Sequence, residues 1–472
     1  MKPSKIYTQS ISDNEETQSL YAKREKIHPR IVLGFFTRLK ALSGIVLLGI
    51  YYIFPWLQWD GRQVVLFDLP ARKFHLFGLT FWPQDFIYLT LLLMIATLAL
   101  FFFTSLAGRL WCGFACPQTI WTDAFLWMER LVEGDRPKQI KLDKAALSFR
   151  KLTIKATKHT LWIVFALFTG FTFVGFFVPI RELVFDVMAF NLSGWETFWI
   201  LFYSLATYGN AGWLREQVCI YMCPYARFQS AMFDKDTMII AYDDKRGEPR
   251  GSRKREADYK AQGLGECVNC TMCVQVCPTG IDIRNGLQYQ CISCSACVDV
   301  CDDIMDKMNY SRGLIRYTTE NRINNKITHI FRPRIFVYGG ILLALFIGLS
   351  AAISTRSLVQ LDVIRDRNSL FRETGTGFIE NVYRLRVMNI DNQPHIYDVT
   401  VTGIEGLQLS HDQEIEVEPG GVMTLPVRLS AEPKNLPKRS MTIAFQLTAR
   451  ENPALTIAEE ARFLGPFTAR RF

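Results

Sequence analysis

The sequence predicts a multi-domain membrane protein. An α-helical transmembrane bundle of about five spans carries a cytoplasmic ferredoxin-like domain and a carboxy-terminal immunoglobulin-like β-sandwich. Three observations carry this reading. Five apolar runs approach the roughly 20 residues needed to cross a bilayer. Two cysteine combs of identical spacing lie between the fourth and fifth runs. The last stretch of chain alternates apolar and polar residues with a period of two.

Residues 1–35 are polar and charged, and they read as a cytoplasmic tail without fixed structure and without a signal peptide ahead of it. A four-span membrane core is expected at 36–235, with runs at approximately Leu39–Trp56, Phe86–Leu106, Leu161–Ile180 and Trp195–Leu214. The fourth run is diluted by Tyr203, Tyr208, Asn210 and Gly212. The ferredoxin domain is placed at 236–334, a fifth span at 335–355 (apolar run Phe336–Ile353) and the sandwich at 356–472. Trp56, Trp82, Trp195 and Trp213 stand near run ends, where indoles suit the membrane interface.

Basic residues set the expected orientation. Residues 1–40 carry eight, 108–160 carry ten and 215–334 carry eighteen, whereas the intervening short loops hold only Arg62, Arg72, Lys73 and Arg181. With five spans, the three rich segments share one side. The amino terminus and the combs are then cytoplasmic, and the sandwich is periplasmic in a Gram-negative inner membrane. The net charge of +9 needs no nucleic acid, because residues 356–472 hold 14 basic and 15 acidic groups and the excess flanks the spans. Anionic lipid headgroups attract such flanks. The cluster Lys245, Arg246, Arg250, Arg253, Lys254 and Arg255 reads either as a solvated face or as a dock for an acidic electron donor.

The combs are the most specific signal. Cys267, Cys270, Cys273 and Cys277 precede Pro278, and Cys291, Cys294, Cys297 and Cys301 repeat the C-x2-C-x2-C-x3-C spacing. That spacing wraps cubane iron–sulfur clusters, with the fourth cysteine of each comb crossing to the other cluster. Two [4Fe–4S] clusters are expected: one on Cys267, Cys270, Cys273 and Cys301, the other on Cys277, Cys291, Cys294 and Cys297. Zinc sites pair C-x2-C units instead, and disulfides need an oxidising compartment. Asp302 replaces the proline expected after Cys301, which hints at a different turn and an acidic edge.

In the tail, Tyr383, Leu385 and Val387 alternate with Arg384 and Arg386. Leu425, Val427 and Leu429 follow the same pattern, as do Ile443, Phe445 and Leu447. Turn formers at Asp391–Pro394, Pro419–Gly421 and Glu432–Asn435 separate these runs. Short strands over about 110 residues suit an immunoglobulin-like sandwich, and this one contains no cysteine. Met388, Met423 and Met441 read as sandwich core ahead of copper ligands.

Four further cysteines form a repeat. Cys112 and Cys116 precede Pro117, Cys219 and Cys223 precede Pro224, and Arg109 and Arg215 lie just upstream. Each C-x3-C-P motif follows a span, which suggests a pseudo-symmetric core with both pairs at its cytoplasmic mouth. If the stretch before each proline is helical, the two thiols of a pair lie one turn apart. The pairs then converge on one four-thiolate site, or each binds a soft ion such as Cu(I) or zinc, or an iron–sulfur unit. The arginines are expected to lower the thiol pKa values. The bland alternative is buried cysteine acting as a small hydrophobe. His28, His75, His159, His329, His395 and His411 show no paired spacing and do not suggest haem.

Spans, duplicated C-x3-C-P motifs, double comb and sandwich, in this order, resemble the CcoG/FixG/RdxA family from about Pro29 to the end. The resemblance implies an accessory protein in assembly of cbb3-type cytochrome c oxidase that reduces Cu(II) to Cu(I). On that reading Cys112, Cys116, Cys219 and Cys223 act on copper. Expected partners are membrane lipid, copper ions, oxidase assembly factors or copper-transport proteins, and a cytoplasmic electron donor; a homo-oligomer is compatible with the sequence. Membrane ferredoxins of nitrate and nitrous-oxide respiration share the cysteine motifs without this external domain. Two competing readings are a quinol- or ferredoxin-linked electron conduit and a non-enzymatic assembly scaffold.

Overall fold

A computed structural model describes residues 26–59, 61–366, 369–391, 393–410 and 414–466. Most of the polar tail, including Lys23 and Arg24, lies outside the described residues, as do Asn392 and His411. The principal helices are α1 (Phe35–Ile53), α2 (Phe86–Ala107), α3 (Leu110–Phe114), α4 (Pro117–Glu133), α5 (Phe149–Val174), α6 (Gly194–Thr207), α7 (Pro224–Met232), α8 (Ala296–Met308) and α9 (Pro333–Ser354). The chain divides into two compact units. One takes the described residues before Ile53, with Leu100–Phe173 and Ser193–Ile335; the other takes Ile53–Ala99, Val174–Leu192 and the described residues from Phe336 onward.

Among the described residues, four helical stretches are long and apolar enough to cross a membrane: Phe35–Trp56, Pro83–Ala107, Phe149–Val174 and Pro333–Ser354. The run expected at Trp195–Leu214 differs. Its α-helix α6 stops at Thr207 and continues as a π-helical turn, Tyr208–Leu214. Gly209 and Gly212 weaken α-helical propagation there. The run expected at Leu161–Ile180 begins twelve residues earlier, at Phe149, because its first turns carry Arg150, Lys151, Lys155 and Lys158 and escape a search for apolar residues.

In the first unit, α5 meets α6 at Gly170. A Cβ there would lie 2.3 Å from Ser204 Oγ and 2.5 Å from Ile200 O, so the backbones approach as only a small residue permits. Gly170→Leu is expected to abolish most of the folded, detergent-extractable protein, measured as the monodisperse fraction on size exclusion; an unchanged yield would show that the helices do not pack this way. The same unit contains a two-stranded antiparallel ribbon, β4 (Ile239–Tyr242) with β5 (Ile315–Thr318), whose Ile240 and Ile315 pack with Val298 and Met305 of α8.

The second unit holds an antiparallel meander absent from the sequence reading: β1 (Val65–Asp68), β2 (Lys73–Leu76) and β3 (Leu79–Phe81). Gln63, buried beside it, donates to Val65 O and Gly175 O and accepts from Ile180 N. The period-two tail forms two sheets. One runs β9 (Gln408–Ser410), β11 (Val422–Ala431), β7 (Ile379–Asn389) and β6 (Val359–Arg365), with the short strand Arg372–Glu373 also on β7. The other runs β10 (Ile415–Val417), β8 (His395–Thr402), β12 (Ser440–Ala449) and β13 (Thr456–Leu464). Tyr383, Leu385 and Val387 of one sheet and Phe445 and Leu447 of the other are fully buried in one core. The Tyr383 hydroxyl donates to Arg462 O at 2.9 Å. Met388 is buried, and Met423 and Met441 pack against the core.

Candidate functional site

The two combs repeat in backbone as well as in sequence. Cys270 lies between Asn269 (φ 51°) and Thr271 (φ 56°), and Cys294 between Ser293 (φ 55°) and Ser295 (φ 62°). Left-handed residues on both sides of the middle cysteine fold the loop into a concave nest that turns backbone N–H groups toward an anion. Asn269 tolerates this conformation, whereas for the β-branched Thr271 it is unusual. A cubane ligated by four thiolates is such an anion.

Each nest opens on a cavity. One is lined by Cys267, Cys270, Cys273 and Cys301 together with Arg284 and Tyr242. The other is lined by Cys277, Cys291, Cys294 and Cys297, and also by Cys273. Each cavity is thus lined by one of the crossed sets expected from the spacing, and Cys273 lines both. Donor chemistry, cavity and nest all fit a [4Fe–4S] cluster in each. Cys294 is buried, whereas Cys270 is exposed. The missing proline after Cys301 has a simple effect: α8 runs through Asp302, whose carboxylate accepts Gly313 N at 2.8 Å. In the first comb the corresponding helix covers only Met272–Gln275 ahead of Pro278.

The C-x3-C-P motifs do not form continuous α-helical turns, so the condition for placing the two thiols of a pair one turn apart is not met. Cys112 lies within α3, and the chain leaves helix at Ala115, so that Cys116 caps α4 in extended conformation. Cys219 sits in a π-helical turn, Val218–Met222, and Cys223 caps α7 in the same extended conformation. The proline after each second cysteine pushes it out of the helical region and then starts the next helix. The motifs hold each other reciprocally. Cys112 Sγ lies 3.1 Å from Gln229 Oε1 on α7, while Gln118 of α4 donates to Asn210 O and Arg215 O at 2.9 and 3.1 Å.

Cys112 lies within electrostatic reach of Cys116, Cys219 and Cys223. Among the described residues, no three His, Cys, Asp or Glu side chains close on one point as a single-ion site requires. Burial pushes the Cys112 and Cys219 thiols up to about 12, and the neighbouring cysteines add to the rise. The expected lowering by arginine is outweighed: Arg109 pulls against burial and loses. Arg215 acts elsewhere, with its guanidinium 2.7 Å from Glu129 Oε2. Arg215 itself has φ 46°, an unusual conformation for a large side chain, and is fixed there by Glu129 and by Gly212 O.

Glu129 is fully buried and also accepts from Lys26 at 2.9 Å. Lys158 lies 3.7 Å from it and 3.0 Å from Glu133. Burial opposes ionisation of Glu129, but Arg215, Lys26 and Lys158 together hold its carboxyl down at about 2. Asp299 of α8, between Cys297 and Cys301, caps α1: it accepts Phe36 N at 3.2 Å, Thr37 N at 2.7 Å and the Thr37 hydroxyl at 2.7 Å. Of the basic cluster, Arg246 is tied to Glu266, Arg253 to Gly265 O and Arg255 to Asn309, and Arg250 lies beside Glu248. These arginines are largely framework around the first comb.

The chain is 40% identical over 429 residues to protein RdxB of Cereibacter sphaeroides, covering 88% of this chain and 89% of that protein. It is 37% identical over 424 residues to the nitrogen fixation protein FixG of Rhizobium meliloti, covering 82% and 80%. The chain belongs to the FixG/RdxA family. RdxA of C. sphaeroides is 39% identical over 431 residues, covering 88% and 89%. Residues 214–320 match the family described as a 4Fe-4S dicluster domain, and 349–466 match the IG-like fold at the C-terminal of FixG. Residues 87–134, with Cys112 and Cys116, match a 4Fe-4S binding domain. A crystal structure of a FixG-related protein from Vibrio parahaemolyticus covers 24% of this chain and all of that one, at 39% identity and TM-score 0.22. This FixG/RdxA-family chain is therefore an iron–sulfur redox protein with several apolar helices and an immunoglobulin-like carboxy-terminal domain.

Proposed function

We propose that the chain is an inner-membrane cupric reductase serving assembly of the copper site of cbb3-type oxidase. Five spans place the amino terminus and combs in the cytoplasm and the sandwich in the periplasm, with the α6 stretch and its π-turn as the fourth span. The observation that carries the redox reading is a cavity lined by one C-x3-C-P cysteine and by chain neighbours of two comb cysteines. It is lined by Lys40, Gln118, Asp123 and Cys219 together with Pro278 and Ile292, which adjoin the comb cysteines Cys277 and Cys291. A cation reaching Cys219 there lies beside the second comb.

When bound, [4Fe–4S] clusters supply electrons singly, the number that Cu(II) needs to become Cu(I), at potentials spanning roughly −700 to +450 mV. The chain contributes soft sulfur ligands that favour Cu(I) once formed. With Cys112 and Cys219 pushed to about 12, these thiols stay protonated at neutral pH until a metal displaces the protons. Copper uptake therefore releases protons and strengthens as pH rises. A cytoplasmic one-electron donor replenishes the comb, and oxidase assembly factors or copper-transport proteins receive the product.

The test is anaerobic reduction of Cu(II) by purified, dithionite-reduced protein after removal of excess reductant. A Cu(I)-specific chelator reports the product, with Cys112→Ala and Cys219→Ala alongside. Stoichiometric Cu(I) from the wild type, lost in variants that keep their cluster spectrum, is expected. Reduced protein that leaves Cu(II) untouched would eliminate the cupric reductase reading.

A further inference from the structure

Arg109 is the N-cap of α3, three residues before Cys112, and is only 2% exposed. Its guanidinium donates to Cys291 O at 3.1 Å and to Tyr289 O on the second comb. The other Nη donates to Ala226 O and the Ser230 hydroxyl on α7, just beyond Cys223. One buried cation thus ties three elements together: the first C-x3-C-P motif, the helix that follows the second, and the comb loop at Cys291.

Gly113, next to Cys112, makes the complementary contact. A Cβ there would lie 2.8 Å from Ser293 O and 2.9 Å from Ile292 O, backbone atoms with no freedom to yield. The backbone of the first motif therefore lies directly on the backbone of the second comb. The first comb has no such neighbour among the residues lining its cavity, and its Cys270 is exposed.

We propose that Arg109 and Gly113 form the junction joining the second comb, and not the first, to the C-x3-C-P motifs, and that Arg109 is a positioning residue that raises the potential of the cluster that Cys277, Cys291, Cys294 and Cys297 would hold. A fixed positive charge and hydrogen bonds beside a cluster favour its more negative, reduced state. The comb cysteines would hold the one-electron centres, and the C-x3-C-P thiols would hold Cu(II), which would be the electron acceptor, with a low-potential cytoplasmic one-electron donor as the reductant. The thiols themselves would not change oxidation state. The inference rests on the reading above only for that final acceptor.

The experiment is a potentiometric titration of the full-length protein in detergent, followed by electron paramagnetic resonance, for wild type, R109Q, R109K and G113A. Cys270→Ser identifies the first-comb signal. R109Q is expected to lower the midpoint of the second-comb signal alone, and R109K, which keeps the charge, to hold it near wild type. G113A keeps the cation but must displace Ile292–Ser293, so about half of the bound iron should be lost, all of it from the second-comb signal. R109Q shifting neither midpoint, or both equally, overturns the proposal, as does G113A leaving both signals intact. No copper is present in these titrations, so a failure of the junction is distinguishable from a failure of cupric reduction.

Discussion

Glu129→Ala is expected to destabilise the first unit by about 3–5 kcal/mol, the cost of leaving buried charges without their partner. The carboxylate is fully buried, with Arg215 at 2.7 Å, Lys26 at 2.9 Å and Lys158 at 3.7 Å. Its removal strands the nearly buried Arg215 charge, whereas Lys158 keeps Glu133 at 3.0 Å. Because Arg215 precedes the π-turn carrying Cys219, reactivity of that thiol toward a maleimide should rise along with the loss of thermal stability. The pH dependence has a definite sign. The folded carboxyl titrates at about 2 against an ordinary 4.5, so its contribution is fully present above pH 4.5 and fades as pH falls toward 2. Wild type should lose stability across that window and Glu129→Gln should lose much less. Equal acid sensitivity in the two proteins would show that the pairing contributes nothing.

Cys294→Ala is expected to remove about half of the bound iron, because its thiol stands at the centre of the second nest and is buried from any replacing solvent ligand. Cys270 occupies the same position in the first comb but is exposed. Water or hydroxide can reach that site, so Cys270→Ala should lose less iron and yield a cluster with altered electron paramagnetic resonance. Iron determination on anaerobically purified variants checks both. Equal losses, or retention of a full complement by Cys294→Ala, would contradict the environments assigned to the two combs.

Comb spacing made the crossed cysteine sets legible, because ligand geometry is written in local sequence. The sandwich was legible too, since Tyr383, Leu385 and Val387 bury on alternate positions of one strand. What escaped has a common physical origin. The π-turns at Tyr208–Leu214 and Val218–Met222 have no periodic signature. The break at Ala115 was readable from Pro117, whose steric demand on Cys116 overrides the helical spacing of the two thiols. Desolvation of Cys112 and the diversion of Arg215 to Glu129 depend on long-range packing, which no window around the motif reveals.

The cap that Asp299 places on α1 has a consequence for biogenesis. Helix α1 finds the acceptor for its Thr37 N–H some 262 residues later in the chain. Gly34 leaves room for that acceptor: a Cβ there would lie 2.2 Å from Asp299 Cγ. Until α8 has been synthesised, the leading end of α1 lacks this acceptor. A chain cut short ahead of α8 should therefore present a frayed turn at Phe36–Thr37 to proteases, which the full-length chain protects.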